Sequence, residues 1–226
     1  TMNVTAIVYG TGTWASGGTM NQARNALYAF GTQSAQMIAA GHIGPPTNAS
    51  EIYDGSSWTS APTINTARNN EAGAGSGTTT AGLIYGGNLS PGRAVITELY
   101  NGSAWSEVND LNTARYSLSG VGTSTASLAY GGNAATGNVA INESWDGSSW
   151  TEVGDLNAAR THGASGLGAT STAALLVGGG TVNTESWNGT SWTEVNNLNV
   201  VHQDGYARAG TTTAGLIAGG ANPGGF

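Results

Sequence analysis

One unit of about 45 residues recurs five times in this 226-residue chain, and recurrence at that period commits a chain to a repeat architecture in which each unit buries its apolar face against the next. Trp14, Trp58, Trp105, Trp150 and Trp192 each stand five residues after an aromatic: Tyr9, Tyr53, Tyr100, Trp145 and Trp187. Ten residues beyond each Trp come Arg24, Arg68, Arg115, Arg160 and His202, at intervals of 44, 47, 45 and 42 residues. Three positions before each member of that column is an asparagine: Asn21, Asn65, Asn112, Asn157 and Asn199.

Each unit reads as four short strands, A to D. In the third, strand A spans 116–121, a turn at 122–125 leads to strand B over 126–130, and Gly131-Gly132 ends it. Strand C follows over 141–145, and Asp146-Gly147 turns the chain into strand D near Trp150. Asp54-Gly55, Asn101-Gly102 and Asn188-Gly189 repeat that hairpin signal, because Asx-Gly pairs accept positive φ. Five such units predict an all-β fold, a five-bladed β-propeller forming one domain over 1–226. The blades fall at about 24–61, 68–108, 115–153 and 160–195, and the fifth joins 202–226 to 1–16. A blade shared by both termini closes the ring and removes exposed sheet edges, so the chain reads as a complete domain.

Composition narrows the function. Charged residues make up 8%, the net charge is -7, and all six cationic side chains are arginines. Without a basic patch the chain is not expected to hold nucleic acid, and without an apolar run of about 20 residues it is not expected to insert into a membrane. The lack of lysine excludes a Walker phosphate loop, Schiff-base chemistry and pyridoxal enzymes, and the lack of cysteine excludes thiolate chemistry and Cys-ligated zinc. His42, His162 and His202 have no metal-ligand spacing. The expectation is therefore no cofactor, no metal and no catalytic residue. The only acids outside the repeated columns are Glu71 and Asp204, on blades that are not neighbours, which argues against a paired-carboxylate hydrolase.

The diglycine after strand B, followed by an aromatic, a tight turn and a Trp, resembles the kelch repeat over essentially the whole chain. The wording of the third unit, Glu143-Ser144-Trp145-Asp146-Gly147-Ser148-Ser149-Trp150, is also similar to propeller repeats in virion proteins of marine phages. Two departures stand out: five blades where kelch propellers usually have six or seven, and Ala40-Gly41 in place of the first diglycine. The resemblance implies a non-catalytic recognition module on a virion surface or tail fibre, or otherwise extracellular. Its partners would be a host-cell glycan or protein, or neighbouring virion subunits for a purely structural decoration protein; a carbohydrate-active enzyme ranks behind both.

The columns read as scaffold. The five Trp are expected to pack between sheets. Glu51, Glu98, Glu143 and Glu185 accompany Arg24, Arg68, Arg115 and Arg160 in the same four blades, whereas the fifth has Ile7 and His202, so an Arg to Glu staple is expected in each of the four, bidentate where geometry allows. The asparagines are expected to bond local backbone in turns. Specificity is then left to the unequal loops between strands B and C, which share a face with the D to A connections. The candidate ligand-binding residues there are His42, Asn48, Arg93, Asn133, Asn138 and Asn183, with Arg93 foremost for an anionic or hydroxyl-rich ligand.

Overall fold

A computed structural model describes residues 17–74, 78–161, 164–201 and 206–219. These residues hold strands and turns and no helix. The first sheet comprises β1 (Tyr28–Thr32), β2 (Ala35–Ala39), β3 (Ser50–Tyr53) and β4 (Trp58–Ala61). The second has β5 (Ala72–Ala74), β6 (Gly82–Tyr85), β7 (Thr97–Tyr100) and β8 (Trp105–Val108). The third has β9 (Ser119–Thr123) and β10 (Ala126–Tyr130), then a ribbon of β11 (Asn133–Ala134) and β12 (Gly137–Asn138), then β13 (Asn142–Trp145) and β14 (Trp150–Val153). The fourth has β15 (Ala164–Thr170), β16 (Ala173–Val177), β17 (Thr184–Trp187) and β18 (Trp192–Val195), and β19 (Tyr206–Gly210) pairs with β20 (Gly215–Gly219). Each four-stranded sheet is an antiparallel meander in chain order. First strands lie against first strands, β1 on β5, β5 on β9, β9 on β15 and β15 on β19, which gives a propeller-like arrangement. Strands C and D of the fifth unit, with Tyr9, Trp14, His162, His202 and Asp204, lie outside the described residues.

Strand A starts later than the sequence pattern suggests. In the third unit Tyr116 bridges to Asn133, the backbone then turns left-handed at Ser117 with φ 52, and pairing with β10 begins at Ser119. Ala26 and Asn70 hold the same conformation in the units before it. The bend aims backbone groups across the seams: Asn70 N donates to Ala26 O at 3.0 Å and Ser117 N to Asn70 O at 2.7 Å.

Both aromatic columns end up in those seams. Cross-strand pairing sets Tyr53 beside Trp58, Tyr100 beside Trp105, Trp145 beside Trp150 and Trp187 beside Trp192. The outer member then packs on the preceding sheet, Trp105 on Phe30, Trp150 on Tyr85 and Trp192 on Tyr130. Ile64, Leu111 and Leu156, six residues after their Trp, fill the same three clusters. Small residues dominate the sequence, so these seam aromatics supply much of the apolar area that folding buries.

The two positions of the diglycine differ in what they demand. Gly86 and Gly131 have φ near +64 and +63, a region other residues tolerate, and Ala40 occupies it in the first unit with φ 59. Gly41, Gly87 and Gly132 have φ of +110, +115 and +101, where side chains are strained. A Cβ would be crowded at both positions, 2.7 Å from Arg160 O on Gly131 and 2.9 Å from Leu118 Cβ on Gly132, so it is φ that separates them. This explains why the first unit keeps Gly41 while losing the glycine before it. Gly132→Ala is expected to cost about 1 to 3 kcal/mol, read as a lower urea midpoint.

Candidate functional site

Four buried ion pairs organise the ends of the sheets. Arg24 Nη2 meets Glu51 Oε1 at 2.7 Å, Arg68 Nη1 meets Glu98 Oε1 at 2.5 Å, Arg115 Nη1 meets Glu143 Oε1 at 2.5 Å, and Arg160 Nη2 pairs with Glu185 Oε1. Each joins the start of strand A to strand C of its own sheet, as the paired columns predict. In the first three units the contact uses one guanidinium nitrogen rather than a fork, because the second carboxylate oxygen is already bonded. Burial pulls the Arg115 guanidinium below its usual value, and Glu143 opposes that pull.

The asparagine column depends on the same carboxylates, a departure from the expected local turn bonds. Asn112 donates to Glu143 Oε2 from its backbone N at 2.7 Å and from Nδ2 at 2.8 Å, and Nδ2 also reaches Trp150 O at 3.1 Å. Asn65 and Asn157 treat Glu98 and Glu185 alike, and Asn21 N donates to Glu51 Oε2 at 2.7 Å. A buried carboxylate needs donors on both oxygens, and an asparagine arriving from the preceding unit supplies those that one arginine leaves over. Each staple is thus a three-residue device that also ties consecutive units together. The arginine carbonyls do the same on the other side: Gly41 N donates to Arg68 O, Gly87 N to Arg115 O and Gly132 N to Arg160 O, each at 2.9 Å.

What the scaffold leaves free lies in the B to C connections. Arg93 is the one arginine with a described side chain that makes no ion pair. Its Nε donates to Asn133 O at 3.2 Å and its Nη2 to Asn133 Oδ1 at 2.8 Å, and its guanidinium stands 5.3 Å over the Tyr116 ring. Asn133 Nδ2 donates in turn to Asn138 Oδ1 at 3.1 Å. Three of the six candidates therefore form a chain of contacts from the second unit to the third, with one edge of the guanidinium held and Nη1 outside those bonds. Tyr116 was not a candidate; its place directly after the arginine column gives no hint that Arg93 crosses to it from the neighbouring unit.

The other three stand apart. His42 is half-buried and pairs its backbone with Asn25, at 2.8 Å from N to O. Asn48 is exposed, and its carbonyl accepts from Ile64 N. Asn183 Oδ1 accepts from Thr181, and its carbonyl accepts from Arg160. Among the described residues no group of three His, Asp or Glu could hold a metal ion. A cleft of about 150 Å³ beside the first sheet is lined by Asn21, Gln22, Ser50, Glu51, Ser60 and Thr63, and its one acid, Glu51, is bound to Arg24.

Compared with models of known protein families and with curated proteins, the chain matches none.

Proposed function

We propose that the chain is a five-bladed kelch-like propeller, its fifth blade completed by residues 1–16, and that it serves as a non-catalytic recognition module. Its place would be a virion surface or tail fibre, and its ligand a host-cell glycan or protein held on the face of the B to C and D to A connections. One observation carries this reading: in the described units the repeated Arg, Glu and Asn side chains are engaged with one another in the scaffold, while the segments that differ between units are the B to C connections. A rigid frame with unequal loops concentrates specificity in the loops. Arg93, held by Asn133 and stacked on Tyr116, is preorganised to offer Nη1 to a ligand carboxylate or hydroxyl.

The test is binding of the purified domain to a broad glycan array and to whole bacterial cells, with Arg93→Ala alongside. Saturable binding that weakens about tenfold or more in the variant is the expected result, a charge-assisted bond being worth about 1.5 to 3 kcal/mol. Thermal unfolding of both proteins separates that loss from the loss of the Arg93 to Asn133 clamp. No binding on either surface overturns the reading in favour of a structural virion subunit that contacts only its neighbours.

A further inference from the structure

Glu71 breaks the repeat where it matters. Three residues after the arginine column the first and third units have Leu27 and Leu118, and Leu118 packs in the core at 6% exposure. Glu71 holds that place in the second unit and is buried almost as deeply, at 8%. Its Oε1 accepts from Tyr28 N of the preceding sheet at 3.0 Å, while its Oε2 has no partner. Tyr28 also donates its hydroxyl to Gly73 O at 2.6 Å, and its ring lies so close over Gly73 that a Cβ there would come within 2.7 Å of Cε1. The first two sheets are thus joined through Tyr28 at both ends of that residue, and the carboxyl of Glu71 is one of the two anchors.

The charged groups around it are already matched. From the first sheet Arg24 faces it, paired with Glu51; from its own segment Arg68 faces it, paired with Glu98; Tyr28 is the other titratable neighbour. Gly87, which closes over the Glu71 Cβ from the end of β6, brings no charge. An ionised Glu71 would be a buried carboxylate with no cation of its own, and burial pushes its pKa up to about 8, against its own backbone N–H, Arg68, Tyr28 N and Arg24.

We infer that Glu71 is a proton-operated latch on the seam between the first and second sheets, closed while its carboxyl is neutral and loosened when the proton leaves. Losing the proton leaves a charge on a buried carboxylate whose Oε2 has no hydrogen-bond partner. The charge strengthens the bond from Tyr28 N rather than breaking it, so the cost of ionisation falls on the buried Oε2 and is relieved only where the seam opens and admits water, which also exposes the Tyr28 amide. The third sheet meets the second with Leu118 at this position and has no such group.

The sign follows from linkage. Folded Glu71 holds its proton more tightly than the unfolded chain does, so its contribution is complete below the unfolded carboxyl range and is lost as pH rises through about 8. The experiment is urea unfolding of the wild type and Glu71→Gln from pH 5 to 9, with hydrogen exchange of the Tyr28 amide corrected for its intrinsic pH dependence. Gln keeps an acceptor for Tyr28 N and cannot ionise. The ratio of wild-type to Glu71→Gln unfolding constants is expected to rise with pH, by up to about tenfold per pH unit within that window. Corrected Tyr28 exchange should accelerate in the wild type alone. A ratio that stays flat, or Tyr28 exchange that rises equally in both, overturns the latch. Glu71→Leu, which installs the residue found at positions 27 and 118, gives the same comparison if the Gln variant does not fold.

Discussion

Glu143→Ala is expected to lower the unfolding free energy by about 3 to 5 kcal/mol, because it strands a buried arginine rather than removing a surface charge. Glu143 and Arg115 are both 0% exposed. The carboxylate takes Arg115 on one oxygen and both donors of Asn112 on the other, so its loss leaves the guanidinium without its anion and two amide donors without their acceptor. Folded domains are stable by about 5 to 15 kcal/mol, which makes this a large share of the total. Urea titration reads the loss as a shift of the midpoint at constant slope. The double variant Arg115→Met with Glu143→Leu should recover most of it, since replacing both ions by apolar groups removes the unpaired charge. A single variant as stable as the wild type would show that the staple carries no stability.

The second large effect is expected from Trp150→Ala, at about 3 to 5 kcal/mol. Trp150 is 6% exposed, and its ring stands edge-on to Tyr85 of the preceding sheet at 4.7 Å and tilted against Trp145 at 5.3 Å. Its Nε1 donates to Thr97 Oγ1 at 3.0 Å, so truncation opens a cavity in the seam and leaves a buried hydroxyl with one bond fewer. Trp105 and Trp192 pack in the same way, but their Nε1 atoms have no partner. Trp150→Phe, which keeps a ring in the seam, should lose distinctly less in the same urea titration. Equal losses for Ala and Phe would place the stabilisation in the Thr97 bond rather than in the packing.

The staples were legible before any coordinates because the covariation lies inside one chain: Glu51, Glu98, Glu143 and Glu185 accompany an arginine, and the unit without the arginine lacks the glutamate. The asparagines differ from the expected local turn bonds for a reason of distance. Asn112, in the connection that leads into the third unit, is 31 positions from Glu143, so turn bonds near the asparagine do not point to its partner. Glu71 stands in the sequence as an acid outside the columns, but its burial and its bond to Tyr28 exist only once the first two sheets are packed. Arg93 stands out in the sequence as an arginine outside the repeated column, but its engagement with Asn133 and Tyr116 depends on how the second unit sits on the third.

The sequence by itself determined the all-β class, the strand order within a unit, the Asx-Gly hairpins and the placing of one aromatic pair per sheet. These follow from turn chemistry and from a period that repeats, both of which act over a few residues or are copied from unit to unit. Tertiary structure alone decided which unit's asparagine completes which carboxylate, where strand A begins after its left-handed residue, and how a lone glutamate comes to be buried against a neighbouring sheet. Those outcomes depend on the approach of one sheet to the next, a distance that no single unit encodes.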